Sequence, residues 1–457
     1  MIVMKFGGTS VQDAAAIDRA AAIVRDRLPR RTVVVVSALA KVTDGLLAMG
    51  RAAGKGDRDG ALDLSRQLRE RHYNVASELL GTGVFTGFHG ELEAEFDALD
   101  ELLRGIAAVG EITPRTSDLV VSFGERLSSR IMQEALTARG MDASHVDARD
   151  VIVTDNTHTR ATPHFDETYE RLRRDVKPLL DKGRIPVMGG FIGATREGVT
   201  TTIGRGGSDF SAAIVGAGLA ADSIEIWTDV DGMMTTDPNL VPEARRIKVI
   251  SFEEAAELAY FGAKVLHPAT LLPAIQLNIP VYVLNSRNPK CEGTRVQAAA
   301  PACRNVFKAI AVKKRITLID VAAARSLSLQ GFLKTIFETF DRHKLAVDAV
   351  SISGVSVSLT VDATDGIPAL AADLGKLADV KYEGRKALVC LVGENIRQTP
   401  GIVARVFGAL GDIKVRMISQ GASEINLTFV VEEEQMPEVV ATLHHEFFSD
   451  LDPEVFD

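Results

Sequence analysis

Two short runs, far apart in the chain, hold the side chains best suited to chemistry. They are Lys5-Phe6-Gly7-Gly8-Thr9-Ser10 and Gly204-Arg205-Gly206-Gly207-Ser208-Asp209. Each sets a basic residue beside paired glycines and then hydroxyls. Glycine lets backbone N–H groups approach an anion closely, and the basic side chain adds a charge that can follow a phosphate through a reaction. Two such loops point to converging anion sites, as phosphoryl transfer requires. Arg205 can grip a carboxylate in bidentate fashion, and Asp209 can cap the following helix or orient a lysine among phosphates. Neither run is a Walker loop or a complete dinucleotide fingerprint, so a nucleotide fold here is not the P-loop one.

Other segments offer groups that read two ways. Ser37 ends a strand, and Thr43-Asp44 opens the next helix; these hydroxyls could bind phosphate or a carboxylate, or simply cap the helix. Glu125 precedes a helix expected over 126–139, where it either holds a substrate ammonium or sits at a helix start that favours a carboxylate. Thr228-Asp229 follows a strand, a position suited to ribose or phosphate contacts but also to a plain turn. Lys264 is a second lysine for a nucleotide or an exposed helix-end charge.

The elements that must position these groups alternate in type. Residues 2–6 and 32–37 are short β-branched runs that read as buried strands. Further strands are expected at 185–189, 224–227 and 280–284, and helices at 11–28, 208–220 and 253–260. This order predicts an α/β domain with a largely parallel sheet. Residues 45–110 read as a helical insertion, and 286–306 as a linker. Beyond it lies an internal repeat at an offset of 70 residues, in which Gly331-Phe332-Leu333 matches Gly401-Ile402-Val403 and the alternating run Val355 to Val361 matches Ile425 to Val431. Each copy reads as a ferredoxin-like βαββαβ module, and two copies can pair edge to edge.

Bulk properties narrow the function. A formal net charge of −9 argues against a nucleic-acid partner, while leaving room for a local cationic pocket. Three cysteines without a CxxC pair fit a reducing cytosol, hence a cytoplasmic protein. Lys5 cuts the first apolar run too short for a signal peptide, and no stretch has membrane-spanning length.

Taken together, the motifs KFGGTSV (5–11), SFGERLSS (122–129), GFIGAT (190–195), TTIGRGGSD (201–209), WTDVDG (227–232), TTDP (235–238) and FGAKVLHPATLLPA (261–274) resemble the aspartate kinases of the amino-acid kinase superfamily, and most closely the monofunctional lysine-sensitive type. The resemblance covers the whole chain. It implies an amino-acid kinase domain over 1–295, with an eight-stranded, mostly parallel sheet between helix layers, followed by ferredoxin-like ACT domains over 307–382 and 384–457. The implied reaction is ATP plus L-aspartate giving 4-phospho-L-aspartate and ADP, the first step towards lysine, threonine, methionine and diaminopimelate. Mg²⁺ would be carried mainly by the nucleotide.

Carried over by resemblance, Lys5 and Asp209 are catalytic. Ser37, Thr43, Glu125, Arg205 and Ser208 bind aspartate, with Arg205 on the α-carboxylate and Glu125 on the α-ammonium. Lys5, Phe6, Gly7, Gly8, Thr228, Asp229, Met234, Lys264 and Val265 contact the nucleotide, with Gly7 and Gly8 donating N–H groups. Met234 stands where related enzymes usually carry an aromatic residue, and Asn239 replaces a frequent arginine. The implied effector site comprises Ser326, Leu329, Phe332, Leu333, Asp348 and Ser353. Lysine and/or threonine is the implied effector, but Ile352, Gly354 and Leu329 replace polar residues of the lysine-binding pattern, which leaves open weak lysine inhibition, a change to threonine, or none. The resemblance also implies a homodimer or tetramer through the ACT domains. The alternatives are another amino-acid kinase or a catalytically inactive amino-acid sensor.

Overall fold

In the computed structural model the described residues are 1–204, 206–262, 268–323 and 329–457, with the side chains of 82, 268, 269, 329 and 330 also outside the description. They fall into two compact units. One is Met1–Met233 with Val249–Phe252 and Val265–Ala300; the other is Met234–Lys248, Glu253–Lys264 and Pro301–Asp457.

The first unit is built on ten strands: β1 (Ile2–Phe6), β2 (Thr32–Val36), β3 (Ala143–His145), β4 (Ile185–Gly189), β5 (Ile192–Ala194), β6 (Thr200–Thr202), β7 (Ser223–Thr228), β8 (Val249–Ser251), β9 (Val281–Asn285) and β10 (Thr294–Gln297). Eight of them form one sheet in the order β3-β4-β2-β1-β7-β9-β10-β8, parallel throughout except for the β9–β10 pair. β5 and β6 make a separate hairpin. Every residue of β1 and β2 is buried, as expected of parallel strands covered on both faces. From β1 the chain goes on to β2 on one side, whereas from the neighbouring β7 it goes on to strands on the other side. A crevice therefore opens at the carboxyl ends of these strands, where ligands bind in open α/β sheets.

Three expectations are corrected here. The helix expected over 126–139 runs from Pro114 to Ala138, started by a Thr113 capping box with proline in the first turn, a strong local start signal. Gly124 does not break it; a Cβ there would lie 2.8 Å from the Ala38 Cβ, so glycine marks a close approach. The helix after Ser37 runs Val42–Gly54 with Lys41 as its N-cap, which leaves Thr43 and Asp44 inside its first turn rather than capping it. Residues 294–297, expected in a linker, are strand β10. Residues 45–110 hold the end of the helix Val42–Gly54 and, after a break, the helix Arg58–Val109, with non-helical backbone at Gly81.

The second unit contains the repeats. Its strands are β11 (Ala309–Ala323), β12 (Val347–Ile352), β13 (Ser356–Asp362), β14 (Ala378–Val392), β15 (Met417–Gln420) and β16 (Asn426–Glu432). They form one six-stranded sheet, β12-β13-β11-β14-β16-β15. Instead of meeting at free edges, the repeats share two long central strands. Ile316–Ala322 pairs with β13, while Ala309–Lys313 pairs with Leu388–Val392, the half of β14 that also carries β16. The second repeat thus receives Ala309–Lys313 from the first, while Ala378–Tyr382, the other half of β14, stays paired within the first repeat. Register shifts fall between Lys313 and Leu318, and Arg315 and Arg385, at equivalent repeat positions, both have positive φ. Phe307 and Ile310 accordingly pack with Val389, Leu391 and Phe429, while Ile319 and Val321 pack with Phe332 and Phe340.

Candidate active site

A cavity of about 550 Å³ opens at the carboxyl edge of the large sheet. Its lining includes Lys5, Gly8, Ser37, Thr43, Glu125, Ser208 and Asp209, all singled out from sequence. Ser208 and Asp209 arrive from one helix and the others each from a different segment. Lys5 is the penultimate residue of β1, 8% exposed; its Nζ lies 2.7 Å from Asp209 Oδ1. Asp209 is in the first turn of the helix Gly207–Gly218, whose N-cap is Gly206 at φ +71°. Asp209 therefore orients the lysine rather than capping the helix. A Cβ on Gly207 would lie 2.7 Å from the Phe191 ring, so glycine lets this helix start seat against the loop after β4.

Glu125 projects from the middle of the helix Pro114–Ala138. It is 3% exposed. Oε1 accepts a hydrogen bond from the Ala38 N–H at 3.2 Å, while Oε2 is buried without a partner. Burial dominates its electrostatics and pushes the carboxyl up to about 8, against the lowering effects of the Ala38 N–H and Lys5. A buried carboxylate with one oxygen unsatisfied is a receptor for a cation, since an ammonium would offset the desolvation that raises it.

Asp118, one helical turn pair before Glu125 and on the same face, organises the far wall. It is 1% exposed. It accepts from Thr202 Oγ1 at 2.6 Å, from the Thr159 N–H at 3.0 and 3.1 Å, and contacts His158 Nδ1 at 2.7 Å. The sequence reading missed Asp118 because it began the helix too late; the Thr113-Pro114 start was the signal. It also missed Ser117, on the same helix, and Lys41, Thr159, Phe191 and Thr202, which line the cavity from loops and a hairpin.

The remaining candidates stand elsewhere. Phe6 is fully buried and stacks on Trp227 at 6.1 Å, so its side chain is core and cannot meet a nucleotide. The Gly7 N–H donates to the Trp227 carbonyl at 3.0 Å, which takes it from any phosphate. Thr228 ends β7 and Asp229 follows it, with Thr228 Oγ1 3.3 Å from Asp229 Oδ1. The Thr228 carbonyl accepts from Ser286 N–H at 2.8 Å and Ser286 Oγ at 3.0 Å, and Ser286 Oγ is 2.8 Å from Ser10 Oγ. This hydroxyl ladder ties together the ends of β1, β7 and β9. Arg205, Lys264, Val265 and Ser326 lie outside the described residues, as does the Leu329 side chain.

In the second unit, Met234 is half-buried and bridges to Arg246. Asp348 is held by Lys313 at 2.7 Å, and Lys313 also reaches Asp362 at 3.0 Å. Asp348 Oδ2 is buried without a partner. Burial raises its carboxyl, with Lys313 acting against the shift. Phe332 is 2% exposed and belongs to the repeat core, which removes its ring from direct ligand contact. Leu333 packs against that core, and Ser353 Oγ meets Ser356 Oγ at 2.7 Å.

A lysine–aspartate pair beside a glycine turn shares the cavity with a buried carboxyl that has one oxygen unsatisfied, an arrangement chemically suited to an anion and a cationic group together. The amino acid kinase family model matches residues 1–285, and an ACT domain model matches 389–447. The lysine-sensitive aspartokinase 3 of Escherichia coli (strain K12) is 38% identical over 464 residues, spanning 98% of this chain and 99% of the relative. The chloroplastic aspartokinase 2 of Arabidopsis thaliana is 36% identical over 470 residues, spanning 99% of this chain and 85% of the relative. The crystal structure of E. coli aspartokinase III in complex with aspartate and ADP matches with a TM-score of 0.84 at 37% identity, covering 98% of this chain and 100% of that one. The chain belongs to the amino acid kinase family and, within it, to the aspartokinases.

Proposed function

We propose that this chain transfers the γ-phosphoryl group of ATP to the side-chain carboxylate of L-aspartate, giving 4-phospho-L-aspartate and ADP. The observation that carries this reading is the grouping in one cavity of the Lys5–Asp209 pair and the half-satisfied Glu125. A relative solved with aspartate and ADP supports it.

The nucleophile is a carboxylate, ionised at neutral pH with an ordinary value near 4, so no general base is needed. One of its oxygens attacks the γ-phosphorus while the bond to the β–γ bridging oxygen breaks and ADP leaves with the electron pair. The barrier is repulsion between anions, so positioning and positive charge supply the catalysis. Lys5, fixed by Asp209, would neutralise the group in transfer. Glu125 would hold the α-ammonium, Arg205 the α-carboxylate, and Ser37, Thr43 and Ser208 the remaining oxygens. Gly8, Thr228 and Asp229 would face the nucleotide, and Mg²⁺ would enter on its phosphates.

The repeats, as ACT domains over 307–382 and 384–457, would bind lysine and/or threonine and join subunits into a homodimer or tetramer. Asp348 Oδ2 would take the effector ammonium beside Lys313. A relative solved with lysine and aspartate supports lysine as the effector. Among the described residues no helix is long and apolar enough to cross a membrane, in keeping with a cytoplasmic place. Steady-state ADP release, measured with aspartate, glutamate and N-acetylaspartate and with added lysine or threonine, tests the reading. Turnover with aspartate alone, lowered by an effector, supports it. Equal turnover with glutamate refutes the assigned substrate, and no turnover with any acceptor favours the sensor.

A further inference from the structure

Lys41 breaks two local preferences at once. It has φ +68°, a left-handed backbone that favours glycine. It also occupies the N-cap of the helix Val42–Gly54 without making a side-chain cap, where Ser, Thr, Asp, Asn or Gly is preferred. A residue kept against both preferences is usually retained for its side chain, and Lys41 lines the cavity.

The loop that delivers it is tied at nearly every residue. Ser37 N–H donates to the Phe6 carbonyl at 3.0 Å and Ala40 N–H to the Gly8 carbonyl at 3.1 Å. Ala38 N–H donates to Glu125. From the helical insertion, Arg71 donates to the Ala40 carbonyl at 2.8 Å and to the Gln12 carbonyl at 3.0 Å. The Glu125 end of the loop therefore stands over the ammonium receptor. The Lys41 end stands beside Gly8, the side where phosphates would lie.

Charge balance supplies the need. The described lining holds Lys5 and Lys41 against Asp44, Asp118, Glu125 and Asp209. Lys5 is already paired with Asp209, whereas Lys41 is in no ion pair among the described residues. We propose that Lys41 is a second catalytic cation that contacts the γ-phosphoryl group of the nucleotide. This rests on the phosphoryl-transfer reading above.

The test compares wild type, Lys41→Gly and Lys41→Arg. Glycine removes the charge while relieving the backbone, so the melting temperature is expected to equal or exceed that of wild type. The expected loss in kcat for Lys41→Gly is ~10- to 100-fold, as for removal of one transition-state donor. KM for aspartate should stay within about twofold, and Lys41→Arg should recover most of the rate because it restores the charge. Calorimetry adds a readout independent of turnover: Lys41→Gly should weaken a γ-phosphate-bearing nonhydrolysable ATP analogue about fivefold or more and leave ADP almost unchanged. Turnover of Lys41→Gly within twofold of wild type overturns the proposal, as does equal weakening of both nucleotides or an equal rate loss in Lys41→Arg. A wild type that binds the analogue but turns over nothing would instead overturn the activity reading, and the two nucleotide affinities would still judge Lys41.

Discussion

Replacing Glu125 by glutamine separates the cost of burying a carboxylate from its use. In the ligand-free protein burial holds this carboxyl at about 8, against an ordinary 4.5. Between those values the folded state keeps a proton that the unfolded chain releases, so stability falls as pH rises. The loss is about 1.4 kcal/mol per pH unit, reaching on the order of 4 kcal/mol by pH 8. Glutamine keeps the acceptor for the Ala38 N–H and has no charge to desolvate. Glu125→Gln should therefore melt close to wild type at pH 5 and several degrees above it at pH 8. Saturating aspartate should close the gap, because the α-ammonium stabilises the ionised wild-type carboxylate and has no counter-charge in the variant. At pH 7 aspartate binding to wild type should release about 0.9 proton, and kcat/KM should fall by about 100-fold or more in the variant. Thermal melts at pH 5, 6.5 and 8, with and without aspartate, and calorimetry in two buffers of different ionisation enthalpy would measure these effects. A stability gap that does not grow with pH, or aspartate binding without proton release, would refute the reasoning.

Two further perturbations probe the scaffold. Asp118→Ala removes the acceptor shared by Thr202, Thr159 and His158; it should cost about 2–4 kcal/mol in denaturant unfolding and raise KM for aspartate more than KM for ATP, whereas an unchanged KM would deny that it shapes the amino-acid half of the cavity. Lys308, fully buried, lies 3.0 Å from the fully buried Glu254 and 3.1 Å from Glu394; Lys308→Ala should cost about 3–5 kcal/mol by removing a buried cation from its ion pairs, and Lys308→Met with Glu254→Leu should recover much of it, an outcome that a double variant as weak as the single one would contradict.

The parts of this architecture legible in sequence are those where local chemistry and tertiary position agree. The valine run of β2 and the apolar run through Lys5 read as buried parallel strands, which they are, and the glycines after β1 announced the turn that follows Lys5. The 70-residue repeat returned at full strength, with β13 and β16 starting 70 residues apart. The misreadings share one cause: tertiary contact overrides local signals. Gly124 was taken as lying outside a helix, but it is there because Ala38 comes close. That misplaced the helix start and hid Asp118, two turns from Glu125. Thr43 and Asp44 suggested a cap, but the helix begins earlier, at a left-handed Lys41 that makes no side-chain cap. The shared central strands escaped notice because nothing local in 309–313 says that its partner is 388–392 rather than its own repeat. Phe6 and Phe332 matched motifs, but their rings pack into cores.

The central claim is that Lys5 and its neighbours drive phosphoryl transfer to the side-chain carboxylate of aspartate. Hydroxylamine trapping of the acyl phosphate tests it most directly, using purified wild type and Lys5→Ala with ATP, Mg²⁺ and either aspartate or glutamate. The account predicts hydroxamate from wild type with aspartate, none above background with glutamate, and a loss of about 100-fold or more in Lys5→Ala. Hydroxamate formed by Lys5→Ala at the wild-type rate, or none from wild type with aspartate, would contradict it.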